Sequence, residues 1–279
     1  MTTTTRSHLS TLLVLLVHCT MLPSRAWAPH HHHNSLRPAA SVRTWSAAVP
    51  TGDEAANAIT LPDEVDEAAM LASSSFPIPP DQLINKCKEV IRAQGGIQDA
   101  SFDEDKYLAT DFRFCAPFVG GRTQRPGMND PLPGLPRDEY LKALRSFDLL
   151  SAFPDMNNNY HAFRVDPFET NRVWFQTRAT ATHTGPLMGS APTGKKLELP
   201  PQAFSMTFNE QGQVTLFNVG YVIDRTVGNT GGLGGAFGFF WGTGNALPFP
   251  ECRPFKGSVQ LRGLGLLQKL LEKLPGRGD

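Results

Sequence analysis

The spacing of apolar residues predicts three helices in the first half of the folded body. The first runs from Asp81, a residue type that can cap a helix, to the glycines at 95 and 96, because the apolar residues between them recur every three or four positions. A short second helix is predicted over 103–109. The third begins at Pro136, which suits a first helical turn, and ends near 153–155.

The second half of the body is predicted to form strands. Four segments are rich in β-branched and aromatic residues and are separated by Pro, Gly and Asn turns: 160–165, 172–184, 203–209 and 213–224. This order of elements predicts an α+β fold in which three N-terminal helices pack in a strongly curved antiparallel sheet. The sheet has to curl around the helices because that buries one of its faces.

The last predicted strand carries the first candidate catalytic residue. In a regular strand the side chains of every second residue from Val214 to Asp224 share one face, which is apolar except for Asn218 and the terminal carboxylate. A carboxylate in a dry cavity has a raised pKa and can exchange a proton with a carbon acid near neutral pH. We therefore predict Asp224 as a catalytic acid/base and Asn218 as a substrate contact. The alternative is that Asp224 only ends the strand and caps the next turn.

The strand predicted over 172–184 offers two faces, of which one can line a cavity. One face carries His183, whose neutral imidazole can polarise a substrate carbonyl. The other carries Trp174 and Arg178, where the guanidinium would contact an anion. Both arrangements are left open by the pattern.

Asp111 follows the second predicted helix, in a segment where charged residues alternate with Phe112 and Phe114. One pair of these side chains points inward, so Asp111 is a further candidate for substrate binding. The alternative is a structural ion pair between Asp111 and Arg113, since buried charges are usually paired.

Several short motifs together resemble the SnoaL-like branch of the NTF2-like superfamily. They are Phe153-Pro154-Asp155 after the third helix, the block Ala181-Thr182-His183-Thr184-Gly185-Pro186, the turn Pro192-Thr193-Gly194, and the closing strand that ends Val222-Ile223-Asp224. The resemblance covers roughly residues 81–225, and it places the predicted domain at 81–227.

This resemblance implies a cone, in which a curved sheet surrounds the helices and a cavity opens at one end. Relatives include polyketide cyclases, ketosteroid isomerase, dehydratases and non-catalytic oligomerisation or transport modules, so the fold alone does not give the activity. In the cyclases an Asp matching Asp224 serves as the acid/base. An aromatic residue or His usually precedes it by two to four positions, whereas this chain has Asn218 and Gly220 there.

Two hypotheses follow. The first is an apolar pocket for a small hydrophobic ligand with cyclase-like or isomerase-like acid/base chemistry, and the second is a non-catalytic ligand-binding or assembly module at thylakoid membranes or complexes. The 26 basic and 26 acidic residues balance, so no nucleic-acid partner is expected. The four cysteines lack metal-binding spacing, and no metal or cofactor is expected.

The segment 228–279 is predicted as a tail. Its first part interleaves glycines with aromatic residues, without the spacing of a dinucleotide-binding or phosphate-binding loop, and can close over the cavity mouth or lie on a lipid surface. Its second part, from Leu261 to Leu274, has leucines at helical spacing with basic residues elsewhere around the helix. Such a helix can rest on anionic lipid, or it packs on its own domain or on a second subunit of a homodimer.

The N-terminus has the composition of a targeting leader. Residues 1–52 contain four Arg and no Asp or Glu. An apolar core predicts a signal peptide over 1–27, and the Ser-, Ala- and Arg-rich segment 28–50 predicts a transit peptide. The junction Ala26-Trp27-Ala28-Pro29 resembles that of bipartite plastid leaders in algae, which implies delivery to the chloroplast. A disordered linker is predicted over 51–80, because Ala, Ser, Asp, Glu and Pro dominate this segment and it cannot bury enough apolar area to offset its conformational entropy.

Overall fold

The computed structural model describes residues 61–96, 101–117, 134–145, 149–256, 258–260, 262–264 and 266. The predicted leader over 1–50 and the first third of the predicted linker lie outside these residues, as does the predicted C-terminal helix beyond 266. The rest of the linker differs from the prediction. A short helix begins after Asp66, whose side chain accepts a hydrogen bond from the backbone of Ala69, and Phe76 and Ile78 pack against the core. A few apolar contacts are sufficient to structure this polar segment.

Six α-helices lie wholly within the described residues: α1 Glu67–Ala72, α2 Pro80–Ala93, α3 Glu104–Tyr107, α4 Arg137–Arg145, α5 Leu149–Ala152 and α6 Gly235–Thr243. Short 3-10 turns cover Gln94–Gly96 and Pro250–Cys252. The three predicted helices correspond to α2, to α3, and to α4 with α5. The apolar stripe of α2 is buried as expected and packs on the sheet. None of the described helices has both the length and the apolar character that crossing a bilayer requires.

The described residues also contain eight strands: β1 Leu108–Cys115, β2 Leu135–Pro136, β3 His161–Val165, β4 Arg172–Thr177, β5 Thr180–Thr182, β6 Lys196–Glu198, β7 Gln202–Phe208 and β8 Val214–Val222. Six of them form one sheet in the order β2-β1-β8-β7-β4-β3, and β5 pairs with β6 separately. The pairing of β1 with β8 is parallel, and the other pairings are antiparallel. The prediction of a purely antiparallel sheet is therefore wrong at this pair, although the α+β class is confirmed.

Two irregularities in β8 bend the sheet and change which residues face the core. Opposite the β7 pair Thr207 and Phe208, strand β8 places Leu216 and Val214, so Thr215 is an extra residue. A second extra residue lies between Val219 and Val222. Such bulges bend a strand and increase its twist. The buried side chains of β8 are consequently Val214, Phe217 and Val219, and the single apolar face predicted from strict alternation does not exist.

The helix α6 was not predicted, and it belongs to the core. Phe237, Phe239 and Phe240 are all buried, and the Phe239 ring lies 4.6 Å from that of Phe153. A helix that is apolar all round is stable in water only when it is surrounded by protein. The predicted boundary at 227 is therefore wrong, because the domain continues through α6 to Cys252, which is also buried.

Polar contacts also tie this segment to the sheet. The side chain of Asn229 accepts a hydrogen bond from the backbone of Glu198 at 2.9 Å and donates one to the carbonyl of Lys196 at 2.9 Å, so it extends the edge of β6. The described residues beyond 258 are different. They are helical, and Val259 and Leu264 are 72% and 65% exposed.

Candidate functional site

Asp224 does not lie in a cavity. It follows β8 at the surface, where its Oδ1 accepts hydrogen bonds from the Thr226 hydroxyl at 2.6 Å and the Thr226 backbone N–H at 2.8 Å. These hydrogen bonds lower the pKa of the Asp224 carboxyl, because they stabilise its charged form. The prediction of a carboxylate with a raised pKa at a pocket wall is wrong, and Asp224 instead caps the turn after the strand.

His183 is fully buried, on the inward face that it shares with Phe175 and Thr177 of β4. Its Nδ1 accepts a hydrogen bond from the backbone N–H of Thr193 at 3.2 Å and lies 3.0 Å from the Thr193 hydroxyl. The proton of the neutral ring is therefore assigned to Nε2, which has no hydrogen-bond partner among the described residues. The ring packs on Phe153 with 5.2 Å between the centroids. This environment is that of a core residue that joins two loops, and His183 lines neither of the cavities described below.

Burial gives His183 a testable effect on stability. Desolvation, followed by the nearby charge of Lys195, lowers the pKa of His183 in the folded protein. The contribution of the neutral His183 ring to the free energy of unfolding is then fully present above the unfolded pKa of about 6.5. It is lost as the pH falls from there through the folded pKa. We expect the free energy of unfolding, measured in urea between about pH 7.5 and pH 5.5, to fall less steeply for His183→Gln than for the wild type. Equal slopes for the wild type and His183→Gln would contradict this assignment.

Trp174 and Arg178 lie on the opposite side of this segment from His183 and already have protein partners. The indole Nε1 of Trp174 donates to the carboxylate of Asp166 at 2.7 Å, and the exposed guanidinium of Arg178 pairs with Glu198. The choice left open by the sequence is thus settled: the His183 face is inside. The predicted role of Arg178 in a cavity is wrong, because a bulky charged side chain on the outer face stays in solvent.

The two remaining candidates are also outside the core. Asp111 is exposed on β1. Asn218 is half-buried on the outer face of β8, where it lines a shallow groove of about 390 Å³ together with Trp174 and Cys115. Of the six predicted site residues, the structure brings together only Asn218 and Trp174.

A larger cavity, of about 530 Å³, lies at one end of the sheet. Most of its walls come from three parts of the chain: the ends of β7 and β8, the turn that leads into α6, and the segment 250–256. The lining is mainly apolar, with contributions from Val219, Val222, Leu233 and Phe237. We refer to this space as the end cavity.

A few polar groups face the end cavity. Gln202 is only 4% exposed, and its Oε1 accepts a hydrogen bond from the backbone N–H of Gly235 at 2.9 Å. Arg225, Arg253 and Lys256 stand at the exposed rim, and Glu251 is the carboxylate of the described lining. The rim therefore has more positive than negative charge.

Sequence reasoning missed the end cavity because more than half of its lining residues belong to the predicted tail. The sequence feature that could have indicated this cavity is the group of glycines before α6. A Cβ atom on Gly234 would lie 2.4 Å from the Cδ of Gln202, so only glycine permits the chain to pass this close to the amide. A clustering of His, Cys, Asp and Glu side chains that could hold a metal ion is not found within the described ranges.

A scan against protein-family models finds no matching family, and a search of curated proteins finds no similar sequence. Solved structures similar to this chain include AclR from Streptomyces galilaeus, assigned as a hydroxylase, at 18% identity and a TM-score of 0.39 over 69% of this chain and 95% of AclR. A protein from Jannaschia sp. CCS1, assigned as a SnoaL-like polyketide cyclase, is 20% identical, with a TM-score of 0.36 over 52% of this chain and 88% of its own.

IdmH from Streptomyces antibioticus, assigned as a polyketide cyclase, is 19% identical, with a TM-score of 0.35 over 49% of this chain and 89% of its own. The similar solved structures thus include SnoaL-like polyketide cyclases, at low identity. At such identities and TM-scores the likeness carries no inference about the activity of this chain.

Proposed function

We propose that this protein is a non-catalytic binding module for a small hydrophobic molecule, and that the end cavity is its binding site. The observation that carries the proposal is the cavity itself. Its volume of about 530 Å³ lies within the range of small-molecule sites, and its walls are mainly apolar with a few polar groups, as in such sites. Burial of an apolar ligand against these walls supplies the affinity.

Acid/base chemistry of the cyclase or isomerase type is less well supported. A general acid or base needs a desolvated titratable group within reach of the substrate. Asp224 is exposed and has a lowered pKa, His183 is enclosed by the core, and Glu251 of the cavity lining is exposed. The described lining therefore favours the binding module over the enzyme.

The location of the protein is a separate part of the proposal. Delivery to a plastid rests on the leader pattern over 1–50. Peripheral contact with thylakoid membranes is supported by four exposed apolar side chains near the C-terminus, which are the kind of residue that inserts at a lipid interface: Phe255, Val259, Leu264 and Leu266.

The binding proposal is tested with N-phenyl-1-naphthylamine, a neutral apolar dye that becomes fluorescent when it leaves water. We expect saturable binding of the dye to the wild type. Val222→Trp places a large side chain in the cavity and should weaken binding by at least about tenfold, which corresponds to about 1.4 kcal/mol.

Val65→Trp makes the same change at a surface position and serves as the control. Circular dichroism confirms that both variants are folded. The absence of saturable dye binding by the wild type would contradict the proposal, and so would undiminished binding by folded Val222→Trp.

A further inference from the structure

The polar groups of the end cavity indicate the chemical class of its ligand. We infer that the ligand carries a carboxylate, and that this group binds at Nε2 of the Gln202 side-chain amide, beside the N-terminus of α6. This inference rests on the proposed function, since it concerns the occupant of the same cavity. It names an apolar carboxylic acid as the ligand class.

The first observation is the state of Gln202. Its Oε1 is occupied by the N–H of Gly235, which fixes the orientation of the amide and leaves Nε2 as the group available to a ligand. Within the described residues Nε2 takes part in no hydrogen bond, although the side chain is only 4% exposed and lines the cavity. An amide N–H group that has no protein partner and belongs to the lining of a mainly apolar cavity is available to donate to an acceptor atom of a ligand.

The second observation is the position of α6. Residues 233–235 and Phe237 line the cavity, so the helix begins at the cavity wall, and its N-cap Gly234 supplies no side-chain hydrogen bond. The N-terminus of a helix has a partial positive charge and backbone N–H groups that favour an anion. The first helical N–H, that of Gly235, is already bound to Gln202 Oε1, so this end of α6 adds its partial positive charge beside the Gln202 amide.

The third observation is the charge at the rim. Three cations, Arg225, Arg253 and Lys256, face the single carboxylate of Glu251 among the described lining residues. The guanidinium of Arg225 lies 5.3 Å from the centroid of the Phe255 ring, which holds it over the rim. Exposed charges contribute little to affinity, but they attract an anionic ligand and disfavour a cationic one.

Decanoate and decanol provide a direct test, because they have the same alkyl chain and differ only in the head group. Their dissociation constants are measured by displacement of N-phenyl-1-naphthylamine from the full chain at about pH 8. We expect decanoate to bind the wild type at least about tenfold more tightly than decanol, since hydrogen bonds to a charged group are the stronger ones. Part of this preference should disappear at high salt.

Gln202→Glu is the most informative variant. One carboxylate oxygen can still accept the hydrogen bond from Gly235, while the other replaces the Nε2 donor by an acceptor and repels a carboxylate. The preference for decanoate should be lost, whereas decanol should bind as it does to the wild type. Arg253→Gln should reduce the preference less, and Arg164→Gln, at an exposed position that pairs with Glu67, is its matched control.

The outcomes separate the two proposals. Equal affinity of the wild type for decanoate and decanol would overturn the carboxylate inference and leave the binding function in place. A preference that both Gln202→Glu and Arg253→Gln retain in full would overturn it as well. Failure of both ligands and of the dye to bind would overturn the proposed function itself.

Discussion

Removal of residues 228–279 should leave a chain that does not fold, whereas removal of residues 258–279 should leave thermal unfolding almost unchanged. The longer deletion takes away α6, whose Phe237, Phe239 and Phe240 are 6%, 0% and 2% exposed. Truncation of one buried Phe to Ala costs about 3–5 kcal/mol, and a domain of this kind has only about 5–15 kcal/mol of stability in total. The loss of three such side chains is therefore of the same size as the whole stability.

The two truncated proteins are compared by circular dichroism and size-exclusion chromatography. The shorter deletion is the matched control, because the described residues that it removes are exposed, as Val259 and Leu264 show. A cooperative melting transition in the protein that ends at residue 227 would contradict the assignment of α6 to the core. A large drop in the melting temperature after the shorter deletion would show that the C-terminal residues also stabilise the domain.

The second large effect is expected for Phe153→Ala. This ring is fully buried between the His183 ring, at 5.2 Å, and the Phe239 ring, at 4.6 Å, so it connects α6 to the loops at the end of the sheet. We expect the free energy of unfolding in urea to fall by about 3–5 kcal/mol, since the variant leaves a cavity that rigid neighbours cannot fill.

Phe168→Ala is the control for this variant, because Phe168 is 72% exposed and its truncation should change stability by no more than about 0.5 kcal/mol. Similar losses in both variants would show that the Phe153 stack does not stabilise the core. Phe153→Leu should lose less than Phe153→Ala, since it keeps most of the buried apolar volume.

Local patterns predicted much of the secondary structure. The hairpin at 209–212 forms as expected, with the side chain of Asn209 accepting from the backbone of Gln211 and Gln213 and with Gly212 at a φ of +79°. Such a turn can be predicted from the sequence because its conformation depends on a few adjacent residues. The buried stripe of α2 could be predicted for the same reason, because an α-helix repeats every 3.6 residues and this periodicity appears in the local sequence.

Strand faces were predicted less well, because alternation assumes an uninterrupted strand. The extra residue at Thr215 has no special side chain, and its position depends on how β8 pairs with β7 and β1. Every side-chain direction assigned beyond a bulge changes when the bulge is placed. This explains why Asn218, which was predicted to share the inward face of β8, lies on its outer face instead.

The amino-acid pattern was sufficient for the α+β class, for α2, for the hairpin and for most strand positions, because each of these depends on neighbours close in the chain. The tertiary fold was needed to place α6, whose uniform apolarity suits a protein core and a lipid surface equally well until its surroundings are known. It was also needed for the end cavity, where Gln202 meets Gly235 across 33 residues of chain. Contacts at such separations depend on how the whole chain packs, and a local pattern does not contain them.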